Sequence, residues 1–280
     1  MSIELPEALI LARQMKKVLV GKHIESYHLQ NYDRMQKIGF LNKNIQDFDQ
    51  LLNGQITSVR ARGNVIRVVL DNSMNLLIAP EYGGEVLYVN DDSKISKKYH
   101  LKIQFSDNTF LTVRIKSMGC ILALKDEELA DSYMFKRDFL RGISPIEDEF
   151  IFERFSKEIS TLNKNLKAIL VGKDAILVGV SNSAFQDIIY RAKLFPKKKG
   201  SELNVDEVKT LFEAINALIN ERMELGGKNL FIDLYAKKGK YIPAMGPNMK
   251  GKTCPECGTG IEKMSFGGGQ IYLCPTCQKH

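Results

Sequence analysis

Four cysteines near the carboxyl-terminal end of the sequence constrain its folding more than any other feature. They form two Cys-x-x-Cys pairs, which bracket residues 258–273. Each pair predicts a tight knuckle, and the bracketed segment is long enough for one β-hairpin with glycines 267–269 at its tip. Four thiolates at this spacing are typical of a closed structural zinc site, which has no open coordination position. We therefore predict one structural zinc ion, bound by Cys254, Cys257, Cys274 and Cys277.

The composition is that of a globular protein. The chain has 280 residues, of which 44% are hydrophobic and 26% charged, so it can bury a sizeable core. Cys120 is the one cysteine outside the cluster, and we interpret it as a small buried apolar residue. Thiols that bind metal rather than form disulfides indicate a reducing compartment. The acidic residues of the amino-terminal segment argue against a secretory signal, and the apolar runs are too short to span a bilayer. We therefore predict a cytoplasmic protein, associated with the nucleoid if the source is prokaryotic, with no membrane partner.

The charge balance permits a polyanionic partner without identifying one. Lysine and arginine total 40 against 33 acidic residues, which gives a net charge of +7. Clusters lie at residues 197–199 and 237–240, and we expect Lys164, Lys167 and Lys173 to join them on one lobe. A surface of this kind would follow phosphates along a nucleic acid.

Hydrophobic periodicity divides the chain into an initial helix, a sheet region and a helical region. Apolar residues recur at helical spacing from Leu5 to Leu19, and Gly21 ends the run. From about residue 54 to 124 the period is two, which predicts short antiparallel strands in a sandwich or barrel. Helical periodicity returns at 150–159, 164–171, 182–192 and 204–225, and Asn204 with Glu207 is placed to cap the last helix. The order helix, sheet, helices and ribbon predicts a two-lobed α+β protein with an appendage.

Five stretches, in order along the chain, resemble the formamidopyrimidine-DNA glycosylase/endonuclease VIII family of base-excision repair enzymes. They are I-E-L-P-E at 3–7, V-G-V-S-N-S-A-F-Q-D at 178–187, A-K-L-F-P at 192–196, G-G-K-N-L-F-I-D-L at 226–234 and C-P-x-C-Q at 274–278. The resemblance implies an N-terminal helix plus antiparallel β-sandwich over residues 1–130. It also implies a helix–two-turns–helix DNA-binding domain over 131–235 and a C-terminal zinc ribbon over 236–280.

The same resemblance implies chemistry on damaged DNA. Members of the family bend duplex DNA, flip a damaged nucleotide out of the stack and cleave its glycosidic bond. An amino-terminal proline amine attacks the sugar carbon, the neighbouring glutamate handles protons, and the resulting Schiff base permits a lyase step. The partner implied here is double-stranded, damaged DNA, and we expect the protein to act as a monomer.

Several positions of this chain match the family's functional residues, and others depart from them. Glu4 matches the catalytic glutamate, but Ile3 stands at the proline position, which argues against AP-lyase activity. Asn64 stands at the position of a hairpin lysine, and Gly269, beside Gln270, at that of a ribbon arginine. Residues 78–83, I-A-P-E-Y-G, replace the stretch whose methionine fills the gap left by the flipped base. The expected DNA-contacting residues are Lys167, Asn182, Asn64, Gln270, Arg60 and Arg62, and we expect Asn182 also to cap its helix.

Two residues are candidates for catalysis. Glu4 could activate water as a general base in an apolar cleft, or it could only complement a helix dipole, which is the role we expect for Glu7. Ser2, exposed by removal of the initiator methionine, would supply an α-amine with a pKa near 8. That amine would lie roughly 3.5 Å further out than the family's proline.

The functional prediction is excision of a damaged or unusual base. The alternative is a non-catalytic sensor of lesions or of abasic and distorted DNA. An RNA-directed ribbon protein is a third possibility, which the two-lobed scaffold disfavours.

Overall fold

The computed structural model describes residues 3–172 and 174–279, which form two compact units. The first unit runs through Leu140 and also includes Leu225–Lys240; the second comprises Arg141–Glu224 and the chain from Tyr241 onward. The segment 225–240 therefore returns to the unit that contains the amino-terminal helix. The three-domain division at 130 and 235 stays a prediction. No helix within the described ranges is both long and apolar enough to cross a membrane.

The first unit is built on two four-stranded sheets, in which every neighbouring pair of strands is antiparallel. One sheet has the spatial order β1 (Ile24–Leu29), β6 (Leu101–Phe105), β7 (Phe110–Arg114) and β5 (Glu85–Val89). The other has the order β2 (Ile56–Arg62), β3 (Val65–Leu70), β4 (Met74–Tyr82) and β8 (Met118–Lys125). The α-helices among the described residues of this unit are α1 (Leu5–Leu19), α2 (Tyr32–Lys37) and α3 (Tyr133–Phe135).

Alternating burial explains the strands of this unit. In β6, Leu101, Ile103 and Phe105 are buried, while Lys102 and Gln104 between them are half-buried on the other face. The helix α1 packs against β2 with its apolar face, and Pro6 lies in its first turn, where no amide hydrogen is needed. The predicted α+β class, with a helix and an antiparallel sandwich, is confirmed.

The second unit contains four helices and one hairpin. They are α4 (Phe152–Ser160), α5 (Leu166–Leu170), α6 (Asn182–Arg191), α7 (Val205–Glu224), and the strands β9 (Glu262–Phe266) and β10 (Gly269–Leu273). The helix α7 starts with the predicted capping box: Glu207 N donates to Asn204 Oδ1 at 2.9 Å, and Asn204 N donates to Glu207 Oε2 at 3.0 Å.

Two local predictions differ from the structure. The cap of α6 is Ser181, and Asn182 is the first helical residue, so the prediction that Asn182 caps the helix is wrong. The side-chain amide of Asn182 instead donates to a carbonyl elsewhere in the unit. The strand β1 was not predicted, because most of its residues are exposed or half-buried and its sequence shows no apolar alternation.

Candidate functional site

A buried ion pair joins the start of α1 to the returning segment of the first unit. Lys228 Nζ lies 2.6 Å from Glu4 Oε2 and 3.7 Å from Glu7 Oε2. Glu4 and Glu7 are each 0% exposed and Lys228 is 3% exposed. Buried charges of this kind persist only when they are paired and hydrogen-bonded. The carboxylate at the predicted catalytic position is therefore held against an ammonium group.

The Glu7 carboxylate holds the backbone of both residues of the ion pair, Glu4 and Lys228. One of its oxygens accepts from the backbone amide of Glu4 at 3.1 Å, and the other from that of Lys228 at 3.2 Å. A single carboxylate thus holds two residues that lie 224 positions apart in the chain. The expected role of Glu7 as a helix-dipole partner describes only part of what it does here.

Further contacts hold the segment 225–240 against α1 and the sheet. Gln14 on α1 donates to Asp233 at 2.8 Å and accepts from the amide of Leu234 at 3.0 Å, while Tyr88 N donates to Leu234 O at 3.0 Å. Gly239 lies where a Cβ would come 2.3 Å from Gly227 O and 2.4 Å from Lys228 O. Only glycine allows so close an approach, so the backbone of Gly239 packs directly against the backbone of Gly227 and Lys228.

The position of the family's proline is occupied by an internal peptide. Ile3 is 1% exposed, and its backbone amide donates to Glu81 O at 2.8 Å. An amide nitrogen in this setting is not a nucleophile. Ser2, the other predicted source of an amine, lies outside the described residues.

Three of the predicted DNA-contacting residues lie on the β2–β3 hairpin. At its turn the backbone amide of Asn64 donates to Asp138 Oδ2 at 2.7 Å, and the side chain of Arg62 donates to Asp138 O. The guanidinium of Arg60 lies 5.6 Å from the centre of the Phe139 ring. Asp138 and Phe139 belong to a π-helical turn, Lys136–Leu140, that follows α3. The structure brings Arg60, Arg62 and Asn64 together and anchors their hairpin to this turn.

The other three meet at the tip of the β9–β10 hairpin in the second unit. Lys167 Nζ donates to Phe266 O at 2.6 Å, and Asn182 Nδ2 donates to Gln270 O at 2.8 Å. A Cβ on Gly267 would come 2.9 Å from Lys167 Cδ. The absence of a side chain at this turn residue therefore leaves room for the lysine side chain. Burial holds the pKa of Lys167 below the ordinary lysine value.

The remaining basic residues are distributed differently from the prediction. Lys197 lies 5.6 Å from the centre of the Phe266 ring, next to the hairpin tip. The cluster 237–240 belongs to the first unit, so the prediction that it shares a lobe with Lys164 and Lys167 is wrong. The reason is the docking of segment 225–240 on α1. Lys173 lies outside the described residues.

The four cysteines of the hairpin form one cluster, in which all four Sγ atoms lie within 4.8 Å of one another. Cys254 and Cys277 are 3.8 Å apart and Cys257 and Cys274 are 3.4 Å apart, measured between Sγ atoms. Tetrahedral zinc with bonds of about 2.3 Å to sulfur separates its ligands by roughly 3.8 Å, so the donor set fits one zinc ion. The hydroxyl of Tyr190, a residue of α6, lies 3.2 Å from Cys254 Sγ and so contacts one of the zinc ligands. The predicted structural zinc site is confirmed.

The fold combines a β-sandwich with an amino-terminal helix, a helical unit and a four-cysteine zinc hairpin. These features define a class of two-unit proteins with a zinc ribbon. Family models identify the class further. The formamidopyrimidine-DNA glycosylase N-terminal domain matches residues 3–117, and the zinc finger found in FPG and IleRS matches residues 251–279. The chain belongs to the formamidopyrimidine-DNA glycosylase/endonuclease VIII family of DNA-repair glycosylases, as the resemblance in its sequence predicted.

Individual relatives agree with this assignment. The chain is 28% identical to the formamidopyrimidine-DNA glycosylase of Halalkalibacterium halodurans, with 99% of each chain covered. It is 26% identical to that of Bacillus cereus, with 98% of each chain covered. Among solved structures, Lactococcus lactis Fpg in complex with DNA containing an abasic site matches with a TM-score of 0.84 and 21% identity. That match covers 99% of this chain and 100% of the other and shows the shared fold.

Sequence reasoning missed Lys228 as a member of the buried ion-pair cluster. The residue lies in the stretch G-G-K-N-L-F-I-D-L, which was used only for the family resemblance. A lysine directly after two glycines is locally indistinguishable from a solvated loop residue. Its burial against Glu4 depends on a contact across 224 positions, which no local pattern reports.

Proposed function

We propose that this protein binds duplex DNA containing a damaged or unusual base and excises that base, with Glu4 as the catalytic carboxylate. One observation carries the proposal: Glu4 stands at the family's catalytic position, is fully buried and is held by Lys228 at 2.6 Å. A buried carboxylate that is fixed at the amino-terminal end of a helix is suited to proton transfer at a sugar.

Excision by hydrolysis needs few parts. Glu4 takes a proton from a water molecule while the oxygen atom of that water forms a bond to C1′ of the flipped nucleotide. The glycosidic bond breaks, and the base leaves with the bonding electrons and is then protonated. A negative carboxylate also stabilises the positive charge that develops on the sugar. The products are a free base and an abasic site.

Two groups of residues are proposed to hold the DNA. Lys167, Asn182 and Gln270 form one contact region at the hairpin tip, and Arg60, Arg62 and Asn64 form another on the β2–β3 hairpin. The Asn182 Oδ1 atom is buried without a hydrogen-bond partner among the described residues, whereas its amide nitrogen is bonded to Gln270 O. Phosphate contacts from such side chains would position the duplex without reading its sequence.

Exposed apolar side chains are available to fill the gap left by a flipped base. Tyr82 and Met118 are paired across β4 and β8, and they are 50% and 58% exposed. Proteins that kink DNA insert apolar wedges of this kind between base steps. We propose this pair in place of the family's methionine.

The test is an excision assay on duplexes that each carry one damaged base, with release of free base followed directly. We expect Glu4→Gln to abolish release while binding to the same duplexes persists. Glu4→Asp keeps the negative charge but moves the carboxylate back by one methylene group, and we expect it to reduce release strongly. The exposed Glu25→Gln variant in the same unit is the matched control and should retain full activity.

A second candidate function is a non-catalytic sensor of lesions or abasic DNA. It is favoured by the peptide amide of Ile3, which occupies the position of the family's attacking amine. A sensor would bind lesion duplexes tightly, release no base from any of them and show no activity for Glu4→Gln to remove.

A further inference from the structure

We propose that Lys228 is an amine nucleophile that forms a Schiff base with the sugar of an abasic site and so gives the protein AP-lyase activity. The inference rests on the proposed function, because it needs the sugar of a flipped nucleotide beside Glu4. It restores a reaction that the loss of the amino-terminal proline argued against.

The first support is the distance between the two groups. Lys228 Nζ donates a hydrogen bond to Glu4 Oε2 at 2.6 Å, and both side chains are buried. An ammonium group becomes a nucleophile only after it loses a proton. In this pair the proton acceptor is already in contact with the donor, and it is the carboxylate at the family's catalytic position.

The second support is the way in which the lysine is held. Glu7 binds the backbone amides of both Glu4 and Lys228, and Gly239 backs the peptide of Lys228. The anchoring point is therefore rigid, whereas the lysine stem has four rotatable bonds. Rotation about these bonds moves the amine while the backbone of Lys228 stays in place.

The third support is a comparison of Lys228 Nζ with two other nitrogen atoms, Ile3 N and Lys167 Nζ, by the groups that accept their hydrogen bonds. Ile3 N is an amide that donates to Glu81 O at 2.8 Å. Lys167 in the second unit donates to a backbone carbonyl, Phe266 O at 2.6 Å, which cannot take up its proton. Lys228 has a carboxylate for that purpose.

The chemistry balances with groups that are present. Glu4 accepts a proton from the Lys228 ammonium, and the free amine bonds to C1′ of the ring-opened aldehyde. Glu4 returns this proton to the carbonyl oxygen and then relays a second proton from the attacking nitrogen to the same oxygen. That oxygen leaves as water, and an iminium ion remains. Loss of a C2′ proton to Glu4 then pushes electrons toward the iminium, and the C3′–O bond breaks with the phosphate as leaving group. Water hydrolyses the remaining imine and regenerates the lysine.

The test is borohydride trapping of the full-length, untagged protein on duplex DNA with one natural abasic site. Binding to a duplex with a tetrahydrofuran abasic analogue, which cannot form a Schiff base, is measured in parallel. We expect wild type to give a covalent adduct, and mass spectrometry of the digested adduct to place the sugar on Lys228.

Lys228→Arg is the matched variant, because arginine keeps the positive charge but offers no nucleophilic amine. We expect it to bind the tetrahydrofuran duplex as wild type does and to lose the adduct and strand cleavage. A variant lengthened at its amino terminus, which displaces the α-amine, should retain the adduct. If Lys228→Arg does not fold, the mapped peptide of the wild-type adduct decides the question.

Three results would overturn the inference. They are an adduct that persists in Lys228→Arg, an adduct that maps to another residue, and tight binding by wild type without any adduct. The last result leaves base excision to be judged by its own assay. Failure of wild type to bind either duplex would instead overturn the proposed function, and this inference with it.

Discussion

At the scale of single residues, the proposed chemistry depends on a buried cluster of two carboxylates and one ammonium group. Removing one partner from a buried ion pair typically costs about 3–5 kcal/mol, because the other charge is left uncompensated. Glu7 adds hydrogen bonds from two backbone amides, those of Glu4 and Lys228. The cluster is therefore both a candidate reaction centre and a fixed joint between α1 and segment 225–240.

Lys167 gives a prediction for the pH dependence of DNA binding. Burial lowers its pKa, so this ammonium loses its proton at a lower pH than an ordinary lysine. Phosphate binds the charged form, and the affinity should therefore fall as pH rises through that lowered pKa. We expect the dissociation constant of wild type, measured by fluorescence anisotropy between pH 7 and 10, to rise earlier than that of Lys167→Arg. Identical profiles for the two proteins would show that Lys167 contacts no phosphate.

At the scale of elements, the β9–β10 hairpin has little core of its own and depends on the zinc ion. Its own Tyr272 packs with the buried side chains of Tyr190 and Met245 around Cys254 and Cys274. The amide of Tyr272 donates to Gln186 on α6 at 2.8 Å. The same hairpin supplies the carbonyl groups that hold Lys167 and Asn182. Metal binding is thus coupled to the position of two proposed DNA contacts.

Removal of zinc should therefore weaken DNA binding as well as unfold the hairpin. Structural zinc in small domains contributes roughly 10–16 kcal/mol of apparent binding free energy at neutral pH. We expect Cys274→Ser to lose bound zinc, lower the thermal midpoint and weaken binding to a tetrahydrofuran duplex. Cys120→Ala, at a buried thiol of the first unit, is the control and should keep its zinc content. Undiminished DNA affinity in zinc-free Cys274→Ser would contradict this coupling.

At the scale of the whole molecule, the positive net charge of +7 and the two proposed contact regions predict binding dominated by phosphates. The regions lie in different units, one on the β2–β3 hairpin and one at the zinc hairpin. Each can release counterions from the DNA independently of base sequence.

The corresponding prediction concerns salt. If about six phosphates are contacted, the affinity for a lesion duplex should fall by roughly 10³-fold between 50 and 200 mM salt. Lys167→Gln should reduce the slope of log affinity against log salt by about one, whereas the exposed Lys94→Gln should leave it unchanged. A salt-insensitive binding curve would rule out phosphate-dominated binding.

Much of the fold could be predicted because its signals are local. The spacing of four cysteines specified the zinc site, and the period of apolar residues placed α1, most strands and the helices α4 to α7 within a few residues. Prediction failed where the apolar pattern was weak or where two adjacent residues suited the same position. The exposed strand β1 lacks alternation, and Asn182 and Ser181 both suit a helix cap.

The sequence by itself determined the fold class, the zinc ligands, the family and Glu4 as the catalytic candidate, because each depends on residue types at short, fixed spacings. Only the tertiary structure decided that Lys228 meets Glu4, that Glu7 joins their backbones and that residues 237–240 belong to the first unit. These contacts depend on how segment 225–240 docks on α1. Docking is a sum of packing and hydrogen bonds between residues more than 200 positions apart, and no local pattern in the chain encodes it.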